Sequence, residues 1–499
     1  MAAGILLGSR QLCLRALIVL IAAAAIFYWL QFTTPALIGE DGHYHTRMAQ
    51  LVRDHGPLHE FPWMAFGLLK DTFSDKDFLF HWLRSRIAAQ DEVWTSKVFT
   101  VACAALIFFS LYVVLVVHDA PLPTLWLLLT FGSGGFWLMR LLYFRPHLLE
   151  ILFFILALEF IVSRRHVALC LLSVAYALAH VSAFIVVGLA CVWTVVAYGA
   201  TRRWEVRGLL ASVVGVAAGF LIHPNFPANV SIWYVQIVQT LTHAYRLIGA
   251  SDLNQGMEFW PVDGRLLIGG APLPLLLLVL SLALLWSERP RWRPDSVFLA
   301  LVAIGSFGAF LLSRRFMELW APAQILACAF LVRDWRRHWT QHEFWTRMRG
   351  RRRILLTAVV VVIMFHDVGL SARMRAEAVG ESRSPFDADY RGIAGWLDKH
   401  LPPGEIVYNA NWGAFVYLFD YAPRLRYIVG LDPVFFHAYN RDLADLYNRI
   451  ASGQVVDRYM WQWTACLVRN RLRRGRACWR QRVRPLYPCH RWSRSFWRY

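Results

Sequence analysis

The chain has 499 residues, 57% of them hydrophobic and 15% aromatic, with a mean hydropathy of +0.41. That composition excludes an ordinary water-soluble fold and leaves a polytopic α-helical membrane protein. The net charge of +19 is unevenly spread: residues 458–499 hold twelve arginines with no acidic residue and no lysine, so the remainder carries only about +7.

A helix needs about 20 apolar residues to cross roughly 30 Å of hydrocarbon. Eleven stretches approach that length, near 13–33, 97–117, 121–142, 146–163, 166–182, 184–200, 208–223, 265–286, 296–313, 317–333 and 354–370. The first ends in Phe27, Tyr28 and Trp29 with no small-residue cleavage pattern, so it reads as an uncleaved anchor. Arginines in short loops mark the cytoplasmic side. With the N-terminus inside, the inner loops carry Arg164, Arg165, Arg202, Arg203, Arg207 and the basic runs at 288–294 and 333–353. The outer side then receives residues 34–96, residues 223–264 and the chain after about 371.

The stretch GEDGHYHTRMAQ (39–50) opens the first outer loop and gathers Glu40, Asp41, His43, Tyr44, His45 and Arg47 directly after a span. A second polar run, FSDKDFLFH (73–81), adds Asp75, Asp77 and His81. Oxygen-rich sets of this kind suit hard divalent cations, so Mg²⁺ or Mn²⁺ is the expected cofactor, unless the loop is simply solvated. Arg140 and Arg145, in LMRLLYFRPHLLE, and Arg314 and Arg315, in LLSRRFMELWAP, lie at the outer ends of spans, against the inside bias. A guanidinium fork matches phosphate, whereas the plainer reading is anchoring to lipid headgroups. Carboxylates and arginines together at the outer surface point to a bound lipid-linked phosphate or pyrophosphate. Glu318 follows Arg314 and Arg315 on one helical face, so an ion pair there is an equal reading.

Cys13, Cys103, Cys170, Cys191 and Cys328 fall in spans, and no C-x-x-C or Cys/His zinc spacing occurs. Residues 371–457 read as a small outer α/β unit: a helix to about His400, a Pro-Pro-Gly break, a strand at 405–409, a short apolar helix and a strand at 426–430. The tail 458–499 has no helical or strand period and reads either as a basic tail or as translation out of frame from about Asp457. Nucleic acid is not expected as a partner.

Asp41-Gly42-His43-Tyr44-His45-Thr46-Arg47, just after the first span, resembles the first acidic motif of the GT-C superfamily of membrane glycosyltransferases. The likeness is to the catalytic subunit of oligosaccharyltransferases, above all the archaeal form, where an Asp-x-Tyr-Tyr-His-x-Arg-like run occupies this place. HEFPW at 59–63 echoes a Phe-Pro that follows that motif. The resemblance implies a GT-C-like transmembrane domain over 1–370, with Asp41 as metal ligand or catalytic carboxylate and His43, His45, Arg47 and Glu40 supporting it. It places the second acidic motif at FRPHLLE, with Glu150 and His147 as counterparts; His stands where a carboxylate is expected, which leaves Asp75, Asp77 and His81 as further metal ligands. It makes Arg145 and Arg314 or Arg315 contacts to the phosphate. The family's Trp-Trp-Asp-Tyr-Gly acceptor motif is matched only by Asn411-Trp412-Gly413, so Trp412 is either an acceptor-side residue or core.

The function so implied is transfer of a sugar or oligosaccharide from a polyprenyl-(pyro)phosphate carrier to an unidentified protein, lipid or glycan acceptor. The site would face the periplasmic or outer side of the inner (cytoplasmic) membrane, among membrane lipids. The alternatives are a transporter or flippase of a lipid-linked or anionic substrate, to which the intramembrane His180 would suit, and an inactive scaffold subunit. Transporters usually show internal repeats and broken helices, and the sequence shows no such symmetry.

Overall fold

A computed structural model describes residues 2–87, 91–240, 256–286, 292–337, 362, 365–366, 369 and 385–454. Most of the expected span at 354–370 and the whole tail at 458–499 therefore lie outside the described residues. The chain divides into a large unit, Met1–Ala444, and a small one, Asp445–Tyr499; everything below concerns the large one.

Among the described residues, five helices are long and apolar enough to cross a membrane: Leu12–Gln31, Glu92–Val117, Val181–Thr201, Pro294–Leu312 and Arg314–Arg337. Two shorter apolar helices, His166–Ala179 and Arg207–Ile222, accompany them. Two of the expected spans are each a pair of helices meeting at a sharp bend, Pro123–Phe131 with Gly135–Leu142 at 88° and Gly264–Gly270 with Pro272–Trp286 at 87°. The breaks fall where Gly132, Ser133, Gly134 and Gly135, and then Gly269, Gly270, Ala271 and Pro272, interrupt the apolar runs. Glycine gives up helical order cheaply, and proline cannot donate to the preceding turn. Gly134 takes φ +115°, and a Cβ on it would lie 2.2 Å from the Gly270 carbonyl oxygen, so the two breaks pack backbone against backbone.

Lys97, 2% exposed, enters low-dielectric surroundings without a carboxylate in contact. Its ammonium instead donates to the carbonyls of Gln31 (3.1 Å) and Thr34 at the end of the first helix, and faces the Phe32 ring at 5.3 Å. Gln31 closes the helix Ala2–Gln31, at the negative end of its dipole, which makes a buried ammonium tolerable there.

Beside the core of the long helices a second core forms. Tyr44, Met48 and Leu51 from the helix Asp41–His55 pack with Phe61 and Phe73 from the rest of the first loop and with Phe415, Phe419 and Tyr427. Strand β1 (Ile406–Val407) pairs in parallel with β2 (Arg426–Tyr427). The first loop joins that edge, since the Tyr427 amide donates to Trp63 O at 2.7 Å and the Ala65 amide to Tyr427 O at 2.7 Å. Residues 41–75 and 394–435 thus share one apolar core, and burial of that core carries the helix Asp41–His55 to a fixed place above the spans.

Candidate functional site

Gly39 turns the chain out of the first span with φ +86°, and a Cβ on it would lie 2.8 Å from the Tyr143 ring. The turn delivers Asp41 to the first position of the helix Asp41–His55, where the free amides favour a carboxylate. Asp41 remains 42% exposed, with Oδ2 accepting from Arg145 Nη2 at 2.8 Å.

Arg145 is one of three arginines that converge on a single carboxylate. Glu258 Oε2 accepts from Arg140 Nη1 at 2.8 Å and from Arg145 Nη1 at 3.1 Å, while Oε1 lies 3.8 Å from Arg315 Nη1. Arg140 also pairs with Glu318, whereas the ion pair expected of that residue was with Arg314 or Arg315. The Tyr143 ring faces both Arg140 and Arg145, 5.8 and 5.3 Å from their guanidinium carbons. The Glu258 loop is tied to the helix Pro294–Leu312 and the turn after it. The Val262 amide donates to Leu311 O at 3.1 Å, Ser313 Oγ to Glu258 O at 3.0 Å and the Arg314 amide to Trp260 O at 3.1 Å. Burial pushes the Glu258 carboxyl up, but Arg140, Arg145 and Arg315 outweigh it and hold the group well below the usual carboxylate range.

Arg314 takes no part in this cluster. It reaches Asp263 at 3.4 Å, and its guanidinium carbon stands 5.9 Å from the Trp260 ring. Of the two expected phosphate arginines, Arg315 is therefore the one facing the arginine cluster. His147 Nε2 donates to Arg140 O at 2.6 Å, fixing the segment that carries Arg140 and Arg145. Glu150, one turn on, accepts from Ser182 Oγ at 2.6 Å.

The acidic residues of the first loop go elsewhere. Asp75, 3% exposed, holds His81 Nδ1 at 2.8 Å, and His81 Nε2 lies 2.9 Å from His45 Nδ1. Burial alone would raise the Asp75 carboxyl, yet it lies below its ordinary value because of His81. Burial, then His81, push His45 well below the ordinary histidine value, so it stays neutral. Asp77 pairs with Lys76 at 2.7 Å, His43 with Asp420 at 2.8 Å, and Arg47 donates to Gln50 at 2.9 Å. Glu40 lies towards the outer segment: a Cβ on Gly413 would stand 3.8 Å from its Oε2. Trp412 is half-buried at the start of the 3₁₀ turn Trp412–Ala414, and a Cβ on Gly256 would stand 4.0 Å from its ring, so the indole borders the Glu258 loop.

The metal set expected from Asp41, Asp75, Asp77, His81 and Glu150 is not assembled: among the described residues no three of His, Cys, Asp or Glu are gathered to hold an ion. The reason is prior engagement. Asp41 is held by Arg145, Asp75 by His81, Asp77 by Lys76 and Glu150 by Ser182. These residues do not fit a divalent cation as placed.

Glu258 was the residue that motif reading passed over. It sits in MEFWP with no matching pattern around it. Charge balance was the available signal, since Arg140, Arg145, Arg314 and Arg315 at the ends of apolar runs call for counter-anions and residues 223–264 offer few acids.

No family model matches the chain, and no curated protein matches it. Its fold is found among solved structures. The Archaeoglobus fulgidus oligosaccharyltransferase in its apo form is 14% identical with a TM-score of 0.61, covering 83% of this chain and 64% of that one. The same archaeal enzyme in complex with Zn and sulfate is 13% identical with a TM-score of 0.56, over 87% of this chain and 66% of that one. ArnT from Cupriavidus metallidurans bound to undecaprenyl phosphate is 15% identical with a TM-score of 0.56, over 85% of this chain and 88% of that one. These solved structures are of GT-C glycosyltransferases, and the likeness of this chain to them is one of fold alone: a mostly helical chain with helices long and apolar enough to cross a membrane.

Proposed function

We propose that the protein is a membrane glycosyltransferase that moves a sugar or oligosaccharide from a polyprenyl-phosphate or pyrophosphate carrier to an acceptor at the outer face of the inner membrane. The observation that carries this reading is the meeting of Arg140, Arg145 and Arg315 on one carboxylate, with Asp41 on the rim of the same cluster. Three guanidiniums in one place, supplied by two separate spans, form a site for a dianion, and Glu258 stands in for that anion until one arrives. An ArnT structure with undecaprenyl phosphate supports a carrier lipid as the class of ligand.

In the reaction, a nucleophilic oxygen or nitrogen of the acceptor attacks the anomeric carbon. The bond from that carbon to the phosphate oxygen breaks, and the departing phosphate takes the electron pair. Arg140, Arg145 and Arg315 stabilise the charge that develops there. Asp41, exposed beside them, takes the acceptor's proton. No step is routed through a metal ion. The outer segment around Trp412, bordering the Glu258 loop, offers the acceptor side. The periplasmic orientation follows from the arginine bias of the loops.

The test is transfer of radiolabelled sugar from carrier lipid in membranes, with wild type compared against Asp41→Asn. Loss of a general base costs about 10²- to 10⁴-fold in rate, with binding of undecaprenyl phosphate retained. Equal transfer at equal protein level would remove Asp41 from the chemistry. A transporter remains the second reading because the two bent helix pairs are of the kind transporters use. Movement of labelled carrier lipid between leaflets without sugar transfer would favour it.

A further inference from the structure

Behind Arg315 lies a chain of buried polar groups that the reaction as drawn does not use. Arg315 Nη2 lies 3.2 Å from His180 Nε2. His180 Nδ1 lies 2.7 Å from Ser182 Oγ, and Ser182 Oγ lies 2.6 Å from Glu150 Oε1. His180, Ser182 and Glu150 are 4%, 7% and 5% exposed. His180 ends the helix His166–Ala179, and Ser182 begins the next span, so this corner between two helices exists to hold them.

The direction of these bonds follows from the donor inventory. A guanidinium only donates, so His180 Nε2 must accept from Arg315, and a neutral imidazole that accepts at Nε2 carries its proton on Nδ1. That proton faces Ser182 Oγ and, at 3.5 Å, Glu150 Oε2. The Ser182 amide also donates toward Nδ1, at 3.3 Å, as an N-cap contact that competes with this tautomer and is given up once Nδ1 is protonated. Ser182 Oγ further lies 3.2 Å from the Tyr176 hydroxyl, which can donate to its second lone pair. The Ser182 proton is left for Glu150. Every hydrogen bond from Arg315 inward therefore points at one terminal acceptor, Glu150.

We propose that His180, Ser182 and Glu150 are positioning residues for Arg315: the relay ends on the Glu150 carboxylate, fixes His180 in its Nδ1–H form and so holds one arm of the guanidinium, aiming the other at the bound anion. Glu150, on this account, acts through Arg315 rather than on the substrate. The proposal rests on the reading of the arginine cluster as a phosphate site. The geometry is specific: a histidine protonated on Nε2 would present a donor to a donor and push Arg315 off its place. A doubly protonated one would add like charge as well.

Two measurements test it on the full chain in lipid nanodiscs. The first is the ¹⁵N spectrum of histidine-labelled protein, with the His180 signals assigned by their loss in His180→Gln. A neutral ring protonated on Nδ1 is expected, and Ser182→Ala should mix the two tautomers. A proton on Nε2 in the wild type overturns the relay whatever the ligand is. The second is binding of undecaprenyl phosphate. Ser182→Ala should weaken it by about 5- to 10-fold, the size of one lost hydrogen bond, and Ser182→Thr, which restores the hydroxyl, should stay within about twofold. In an Arg315→Ala background Ser182→Ala should have no further effect, because its action passes through the guanidinium. An equal loss in that background, or no loss in the single variant, overturns the proposal. If the wild type binds undecaprenyl phosphate no better than empty nanodiscs, the phosphate reading falls, and the imidazole spectrum alone decides the relay.

Discussion

Glu258→Gln sets two consequences of one contact against each other. The wild-type carboxylate accepts from Arg140 at 2.8 Å and Arg145 at 3.1 Å, faces Arg315 at 3.8 Å and is 24% exposed. At an effective dielectric constant of about 20, each charge pair near 3 Å is worth roughly 5 kcal/mol before desolvation is counted. Desolvation takes back much of this, and breaking one buried pair typically costs about 3–5 kcal/mol. With a quarter of the side chain still wetted, the isosteric amide should cost about 2 kcal/mol of stability. An arriving phosphate, however, must displace Glu258 from the same guanidiniums, and the amide holds them far less tightly. Undecaprenyl phosphate should therefore bind Glu258→Gln about tenfold more tightly, a gain of about 1.4 kcal/mol, and should raise its melting temperature more than that of the wild type. Binding isotherms and thermal unfolding in nanodiscs read both effects. A variant that is less stable and also binds the lipid as weakly as the wild type, or more weakly, refutes the idea that Glu258 occupies the phosphate position.

Arg315→Lys should weaken undecaprenyl phosphate binding about tenfold because the planar fork is lost, whereas Arg314→Lys, paired outside the cluster with Asp263, should leave the isotherm unchanged. Gly39→Ala should destabilise the protein by about 1–3 kcal/mol and reduce transfer, since its φ of +86° and the Tyr143 ring at 2.8 Å both oppose a side chain; circular dichroism melts would read the loss. His45, depressed by burial, takes up its proton only below its ordinary value of about 6.5, which the unfolded chain keeps. Stability should accordingly be full above about pH 6.5 and fall as the pH is lowered through that value, a slope that His45→Asn flattens in melts between pH 7 and 5.

The fold was legible where composition dictates it. The runs 98–117 and 296–313 carry no charged residue and became the helices Glu92–Val117 and Pro294–Leu312. At 121–142 and 265–286 the apolar count was right for a span, but Gly132–Gly135 and Gly269–Pro272 carry a conformational instruction that hydropathy does not read. The same distinction governs the site. Arg145 and Arg315 stood out because they run against the inside bias, and Asp41 because its motif resembles a known one; Arg145 and Arg315 come together at Glu258, with Asp41 on Arg145. Whether Asp75 and His81 would meet Asp41 could not be read from their shared side of the membrane. In the structure His81 faces Asp75 and His45, sealed under Phe80 and Tyr44, as a buried polar pair must be satisfied by whatever is packed closest. Glu258 is separated in sequence by more than a hundred residues from Arg140 and Arg145, and only the tertiary fold brings it to them.

The contact of Gly134 with Gly270 joins two half-helices that lead to opposite partners of the charge cluster. Gly135–Leu142 carries Arg140 and runs on to Arg145, while Gly264–Gly270 continues the loop that carries Glu258. With no side chain between the two bends, they bear on each other as two levers on a single fulcrum. A side chain at Gly134 would press on the Gly270 carbonyl, so Gly134→Ala is expected to disturb both arms at once, the one that carries Arg140 and the one that follows Glu258.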